Sequence, residues 1–214
     1  MNLNGSFIKQ LYVSRSNLVF YLKNAGFDCK QIENASIEDM EHMKTYNQLD
    51  FKVTNPITNE SCYILYKLDE NFKQNIIKRN NIEQCINEMY DELKVIENKD
   101  TLIIVTNEYT KESVNKILKN VWEKESKYVV VFTLSNLQTN VILHSYVPTH
   151  IRMNAIQKDE LFKQYNLSND SQLPEISRFD PVSKVIFLRP GEVCEIIRYD
   201  KISLTNKYYR VCVS

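Results

Sequence analysis

Residues 180–199 read Asp-Pro-Val-Ser-Lys-Val-Ile-Phe-Leu-Arg-Pro-Gly-Glu-Val-Cys-Glu-Ile-Ile-Arg-Tyr, and this stretch decides the fold of the last third of the chain. Asp180 and Pro181 predict the start of a helix. The carboxylate can cap free amide groups, and proline needs no hydrogen-bond donor at the first helical position. We expect the helix to cover 182–188, which is long enough for two turns.

A turn and two strands are predicted after this helix. Residues 189–192, Arg-Pro-Gly-Glu, have the order of a type II turn, whose third residue requires a positive φ and is here Gly191. The β-branched residues at 193–199 predict a strand, and 208–213 predict a second one. Alternation along the second strand predicts one shared face for Tyr209, Val211 and Val213.

Another helix is predicted upstream of Asp180. Asn154 and Gln157 have the spacing of a capping box, and the helix that they start directs three side chains towards a core: Leu161, Phe162 and Tyr165. The predicted order is therefore helix, loop, short helix, turn, strand and strand. This order predicts a compact α+β module.

The preceding part of the chain has the pattern of an α/β domain. The predicted helices begin near Phe7, Ser36, Asn81 and Thr110, and the predicted strands cover 50–54, 62–66, 102–105 and 128–132. The third helix is predicted to cover 81–95, with Leu93 on its apolar face. The first two strands predict a hairpin. The last two are wholly apolar and flank a helix, which implies a right-handed βαβ unit. We expect two domains, 1–143 and 144–214.

Six motifs of the last third occur in a fixed order that extends to the C-terminus. They are Val147-Pro148-Thr149-His150, Met153 before a capped helix, Tyr165-Asn166-Leu167, Gln172-Leu173-Pro174, Asp180-Pro181-Val182, and Gly191-Glu192-Val193 followed by Ile196-Ile197-Arg198. In this order they closely resemble the fifth subunit shared by the eukaryotic nuclear RNA polymerases, whose C-terminal part corresponds to a small subunit of the archaeal polymerase. The resemblance implies a restriction-endonuclease-like α/β jaw domain, a mixed sheet with helices, followed by a small α+β assembly domain.

The resemblance also implies a non-catalytic polymerase subunit, because other subunits hold the catalytic magnesium and the nucleotide. No cofactor and no membrane are expected. The jaw would lie near downstream duplex DNA, where the family has a Thr-Pro-Ser motif and this chain has Thr110, Lys111 and Ser113. Ordinary helix capping is the alternative interpretation of these three residues. The C-terminal domain would dock on the largest subunit, beside a small one, through Pro148, Asp180, Pro181, Arg189, Gly191, Arg198, Tyr208 and Arg210.

Three departures from the family are visible in the C-terminal domain. Phe187 stands where the family has a small glycine, and Pro190 stands where it has a basic residue. Residues 199–205 replace a proline-containing segment. These departures indicate a diverged homologue, and a large DNA virus is the expected source. An intracellular location follows: the virion and host cytoplasm for a viral protein, the nucleus for a cellular one.

Composition excludes several classes of protein. Acidic and basic side chains number 27 each, which disfavours a free-standing nucleic-acid binder with a basic excess. The three glycines nearly exclude a phosphate-binding loop, and the three histidines (His42, His144 and His150) have no metal-ligand spacing. The five scattered cysteines predict reduced thiols. No segment resembles a secretory signal or a membrane span of about 20 apolar residues.

Two alternatives to a polymerase subunit remain open from the sequence. A restriction-type nuclease would use Asp50 as its first metal-binding acid. However, the return strand has Leu65 where the second carboxylate must be, and we interpret Asp50 as a solvated strand end. A free-standing adaptor could also use the same assembly module for other partners. Tyr199, Tyr208 and Tyr209 could complete the module's own core or stack on arginines of an interface.

Overall fold

The computed structural model describes residues 3–68, 76–77, 79–109, 111–200 and 204–214. Contacts between residues divide the chain into two compact units, Met1–Thr139 and Asn140–Ser214. The first unit holds a four-stranded mixed sheet with helices, and the second holds another four-stranded sheet with two short α-helices among its described residues. The mixed α/β class that we predicted is confirmed. The likeness of the first unit to a restriction endonuclease stays a prediction.

The described residues of the first unit include the α-helices α1 (Leu3–Asn24), α2 (Ile37–Thr45), α3 (Arg79–Asn87) and α4 (Lys111–Glu125). After α1, Gly26 adopts a φ of +86°, and its amide donates to the Lys23 carbonyl at 2.9 Å. This is the left-handed helix end for which glycine is favoured. A capping box starts α2, since the Asp39 amide donates to Ser36 Oγ at 3.1 Å and the Ser36 amide donates to Asp39 Oδ2 at 2.7 Å.

The predicted helix over 81–95 is wrong in its second half. After α3 the chain continues as a π-helix, Glu88–Glu92, and the Leu93 amide donates to the Glu88 carbonyl five residues earlier at 2.8 Å. The wider turn rotates the following residues away from the apolar face of α3. Leu93, which we placed in the core, is 66% exposed for this reason.

The main sheet of the first unit contains β1 (Phe51–Thr54), β2 (Ser61–Lys67), β4 (Thr101–Thr106) and β6 (Tyr128–Thr133) in that order. The β1–β2 pair is antiparallel, and the β2–β4 and β4–β6 pairs are parallel. These pairings confirm the predicted hairpin and the strand–helix–strand unit around α4. A separate pair of two-residue strands joins β3 (Ile76–Ile77) to β5 (Glu108–Tyr109). Strand β4 is buried along its whole length, as its apolar sequence predicts.

The second unit folds around a sheet with the order β7–β9–β10–β8. Its elements are β7 (Thr149–Arg152), α5 (Ala155–Gln164), β8 (Glu175–Ser177), α6 (Pro181–Val185), β9 (Val193–Asp200) and β10 (Leu204–Val213). Strands β7 and β8 are absent from our prediction, because segments this short give no clear alternation. They form the two edges of the sheet. Strand β10 starts at Leu204 rather than at Tyr208.

Both faces of this second sheet carry apolar side chains. One face packs Val193 and Val211 against Leu161 of α5, with Tyr209 partly buried beside them. The other face forms a cluster of Ile176, Leu188, Cys194, Ile196 and Cys212. A predicted feature is confirmed here, since Tyr209 and Val211 share the face that receives α5. The small unit therefore has a two-sided core of its own.

Helix α6 ends earlier than the sequence predicts. Phe187 has a φ of +54°, its amide donates to the Lys184 carbonyl at 3.3 Å, and the Leu188 amide donates to the Ser183 carbonyl at 3.0 Å. This is a Schellman motif with a phenylalanine at the position where glycine is usual. The Phe187 ring is only 2% exposed, so burial of the ring offsets the cost of the left-handed backbone.

We expect Phe187→Gly to lower the free energy of unfolding by about 2 kcal/mol. Loss of a buried aromatic ring costs about 3–5 kcal/mol, and relief of the positive φ returns about 1–2 kcal/mol. Denaturant unfolding would measure the difference. Asn166→Gly is the matched control, because Asn166 has the same role after α5 at a φ of +52° but is exposed. It should change stability by a few tenths of a kcal/mol. A stabilised Phe187→Gly protein would contradict our account.

Candidate functional site

The turn between α6 and β9, which contains two of the predicted docking residues, is held by several hydrogen bonds. The Glu192 amide donates to the Arg189 carbonyl at 3.0 Å, and Gly191 has a φ of +87°, in agreement with the predicted type II turn. The turn also pairs with the last strand. The Gly191 amide donates to the Cys212 carbonyl at 2.9 Å, and the Cys212 amide donates to the Glu192 carbonyl at 2.8 Å.

Charged side chains connect this turn to neighbouring elements. The Glu192 carboxylate accepts from Arg152 Nη2 of β7 at 2.5 Å and from the Arg189 amide at 2.8 Å. Lys158 of α5 donates to the Gly191 carbonyl at 2.8 Å and pairs with Asp170 at 2.7 Å. Partly buried pairs of this kind hold their geometry better than pairs in water. The turn is therefore fixed from three sides.

Two of the predicted docking residues have a clear local role. Asp180 Oδ1 accepts from the Val182 amide at 2.9 Å and from the Ser183 amide at 3.5 Å, and Pro181 is the first residue of α6. The predicted helix start is confirmed. These contacts account for Asp180 and Pro181 without any partner, and their role in docking stays a prediction.

The structure brings three of the other docking residues together on neighbouring strands. The Arg198 guanidinium lies 4.8 Å from the centre of the Tyr208 ring, and Arg210 Nη1 donates to the Glu175 carbonyl at 2.9 Å. Pro148 lies before β7, where its carbonyl accepts from His150 Nδ1 at 2.7 Å. Arg189 is half-buried in the turn.

His150 is a residue of this surface that sequence analysis missed. It lies opposite Ile196, which in turn lies opposite Tyr208, so the three side chains form a row across three strands. Burial lowers the pKa of His150, and nearby Arg198 and Arg210 lower it further. The Pro148 carbonyl and Asp180 have the opposite effect and raise it, but burial is the largest cause. The alternation of Thr149 and Ile151 around it is the only signal of a strand.

The three tyrosines near the C-terminus divide between core and surface. Tyr209 stacks on Tyr165 at 5.8 Å and donates to Glu195 Oε1 at 3.3 Å. Tyr199 is 85% exposed and Tyr208 is 44% exposed. Tyr209 therefore belongs to the module's own core, whereas Tyr199 and Tyr208 face solvent and are available to a partner.

The structure describes two of the three predicted DNA-proximal residues. Thr110 lies outside the described residues, and so do Lys73 and Lys78 of a nearby basic segment. Lys111 begins α4, and Ser113 is exposed in the first turn of that helix. Their contact with DNA stays a prediction.

Asp50 is not the solvated strand end that we expected. It is half-buried before β1, and its Oδ1 accepts from the Tyr66 amide of β2 at 2.7 Å. It borders a cleft of about 220 Å³, together with Phe7, Lys44, Asn47, Leu49, Tyr66 and Leu68. Burial raises the pKa of its carboxyl group. Its contact fastens the open end of the hairpin.

A metal centre and reactive thiols are not found among the residues that the structure describes. In those ranges no three His, Cys, Asp or Glu side chains lie close enough to hold a metal ion. All five cysteines are buried and free, and burial raises the pKa of Cys29 and Cys194 to about 11 and that of Cys212 to about 12. Thiols with a raised pKa are poor nucleophiles near neutral pH. No helix in the described part of the chain is long and apolar enough to cross a membrane.

Comparison with known proteins identifies the class of the second unit. Residues 139–212 match the domain described as "RNA polymerase Rpb5, C-terminal domain". The chain is 36% identical over 96 residues to "DNA-directed RNA polymerases I, II, and III subunit RPABC1" of Caenorhabditis elegans, a match that covers 44% of this chain and 45% of the relative. It is 36% identical over 74 residues to "DNA-directed RNA polymerase subunit Rpo5" of Thermococcus kodakarensis, covering 35% of this chain and 89% of the relative.

The second unit is thus a domain found in subunits of DNA-directed RNA polymerases. The chain belongs to the Rpb5/Rpo5 family of RNA polymerase subunits. The match covers less than half the length of these eukaryotic relatives. For "DNA-directed RNA polymerases IV and V subunit 5B" of Arabidopsis thaliana, the chain is 34% identical over 100 residues, which is 44% of that relative.

We expect Gly191→Val to lower the free energy of unfolding of the second unit by about 1–3 kcal/mol, because a β-branched residue is strained at a φ of +87°. A side chain would have room, since no other atom lies within 4 Å of an added Cβ. Gly191→Asn is the matched control, because asparagine tolerates this region. Denaturant unfolding compares the variants, and equal stability for valine and asparagine would contradict the assigned backbone strain.

We expect Asp50→Asn to raise the melting temperature of the first unit at pH 7. Asparagine can still accept from the Tyr66 amide and carries no charge that burial penalises. Because the pKa of Asp50 is raised in the folded protein, its carboxyl group contributes fully to stability below the pKa of an unfolded aspartate, about 4. This contribution is lost as the pH rises through the pKa of Asp50 in the folded protein. The advantage of asparagine should therefore shrink towards pH 4. Magnesium-dependent DNA cleavage that disappears in this variant would instead support the nuclease alternative.

Proposed function

We propose that the chain is a non-catalytic subunit of a multisubunit DNA-directed RNA polymerase. The observation that carries the proposal is the match to the archaeal relative, in which this one module makes up 89% of a polymerase subunit. Whatever such a subunit contributes to a polymerase must therefore reside mainly in the module. Nucleotidyl transfer would take place in other subunits, so the proposal needs no cofactor in this chain.

We assign assembly to the second unit, which would dock on the largest subunit beside a small one. Its turn 189–192 is fixed internally, whereas several large side chains around the sheet are exposed: Ile151, Ile156, Tyr165, Tyr199, Leu204 and Tyr208. Exposed aromatic residues next to arginine are enriched in protein interfaces. A fixed scaffold that presents such residues loses little conformational entropy on binding.

We assign the first unit to a jaw beside downstream duplex DNA. Its sheet starts with an antiparallel hairpin and continues with parallel strands, an arrangement compatible with the restriction-endonuclease-like domain. The first turn of α4 would meet DNA phosphates through its free amides, with Thr110, Lys111 and Ser113 close by. Because the chain has no net charge, these contacts would be few, independent of sequence and weakened by salt.

The source and location of the protein belong to the same proposal. Phe187 and the segment 199–205 depart from the family pattern, and a large DNA virus remains the predicted source. The protein would then act in the host cytoplasm and the virion, and a cellular homologue would act in the nucleus.

We expect the chain, purified from its native source through an affinity tag, to co-elute with two very large polymerase chains. Gly191→Val should reduce their yield several-fold, because the turn supports the docking strands, and Gly191→Asn should not. The fold of the first unit, followed by limited proteolysis, should be unchanged in both. Elution with unrelated partners and without the large chains would support the adaptor alternative and contradict the proposal.

A further inference from the structure

The β9–β10 hairpin extends beyond the rest of the second sheet. Strand β7 pairs with β9 only as far as Ile197, and β8 pairs with β10 only at Val211–Val213. Residues 198–200 and 204–206 therefore form a two-stranded ribbon with no third strand beside it in the described sheet, and 207–210 lack a neighbouring strand only on the outer side of β10. The side chains on its two faces alternate. The two faces differ in charge.

One face of the ribbon neutralises its own charges. Lys207 Nζ pairs with Glu195 Oε1 at 2.7 Å, and the Tyr209 hydroxyl donates to the same carboxylate. Tyr165 of α5 covers this face by stacking on Tyr209. Within the described residues, the cation and the carboxylate of this face are paired and the Tyr209 ring is covered, whereas Tyr199 on the same face is exposed.

The opposite face carries two arginines, and strand alternation also places Asp200 of β9 on it. Arg198 lies opposite Asn206 and Arg210 lies opposite Cys194, with Tyr208 between Asn206 and Arg210 along β10. His150 of β7 lies in the same cross-strand row as Tyr208. In the described part of the chain, neither guanidinium has a carboxylate within 4 Å. The nearest acid that influences His150 is Asp180, whose carboxylate already caps α6.

The two arginines lie four residue positions apart along the ribbon, and each has an uncharged contact: Arg198 with the Tyr208 ring and Arg210 with the Glu175 carbonyl. The contact with the exposed Tyr208 ring, at 4.8 Å, holds the planar Arg198 fork in place for a bidentate contact with a carboxylate. His150 is neutral at pH 7 because burial and both arginines disfavour its charged form. An incoming anion would reverse that preference.

We propose that Arg198, Tyr208 and Arg210, with His150 at their edge, form a recognition site for an acidic segment of a partner protein. Complementary charge identifies the occupant, because the two arginines outnumber the acidic residue of this face, whereas Lys207 of the other face is already paired with Glu195. The inference rests on the proposed function in one respect only: a polymerase subunit is the expected source of the acidic segment.

The test uses fluorescence anisotropy of the full chain with a short, fluorescein-labelled, glutamate-rich peptide and a glutamine peptide of equal length. We expect saturable binding of the glutamate peptide alone. Arg198→Gln and Arg210→Gln should each weaken binding roughly threefold, and the double variant roughly tenfold. Lys163→Gln, which removes an exposed cation from α5 on the other side of the sheet, is the matched control and should have no effect.

Two further measurements separate recognition from stability. The melting temperature of Arg198→Gln should stay close to that of the wild type, because Arg198 is exposed and only its contact with the Tyr208 ring is lost. The glutamate peptide should bind more tightly at pH 6 than at pH 7.5, because a bound anion favours the protonated form of His150. Asp180 also favours that form, whereas Arg198 and Arg210 disfavour it by lowering the pKa of His150. His150→Gln should abolish that dependence.

Equal peptide binding by the wild type and the double variant would overturn the inference. Preference for a short DNA duplex over the peptide, lost in the same variants, would also overturn it and identify nucleic acid as the ligand. The proposed function has a separate readout. If polymerase chains co-elute equally with the wild type and the double variant, the recognition site is wrong and the polymerase role stands. If peptide binding depends on the arginines and no polymerase chain co-elutes, the site stands and the polymerase role fails.

Discussion

The pairing of the turn 189–192 with the last strand is the constraint on which the second unit depends. Two reciprocal hydrogen bonds join Gly191 and Glu192 to Cys212, and they form only because Gly191 adopts a positive φ. They fix the start of β9 against the end of β10, and so they set the register in which Ile196 faces Tyr208. A shift of one residue between the two strands would place Arg198 and Arg210 on opposite faces of the sheet. The charge contrast between the faces is thus a consequence of one turn.

The sequence predicts those parts of the fold that have a strong local cause. Asp180 with Pro181, the Asn154 capping box and Gly191 each satisfy a specific backbone requirement, and each is found in its predicted role. The misses have a different origin. Strands β7 and β8 are short and owe their existence to neighbours that are distant in sequence, and the early end of α6 depends on burial of Phe187. Such features depend on packing against residues that are distant in sequence, and a local sequence pattern carries no information about that packing.

The candidate site illustrates the same division. Arg198, Tyr208 and Arg210 were predicted as docking residues from their types, since arginine and tyrosine favour interfaces. Their mutual arrangement needed the register of three strands, and with it came His150, which no spacing in the sequence had singled out. Asp50 is the opposite case. Its type and position fitted a metal ligand or a solvated end, and the structure gives it a hydrogen bond that closes the β1–β2 hairpin.

The two faces of the β9–β10 ribbon differ in their contacts: one carries contacts that stabilise the unit, and the other carries the residues of the proposed recognition site. The face below α5 is matched internally, with Lys207, Glu195 and Tyr209 in one network, and it anchors the ribbon to the core. The other face carries Arg198 and Arg210, which have no ion pair among the described residues, beside the buried Cys194 and Ile196. Because the contacts of Lys207, Glu195 and Tyr209 lie on the face opposite the arginines, substitutions at the arginines would leave those contacts in place. A docking element in an assembly needs that separation, since its partner surface must stay available while its scaffold stays rigid.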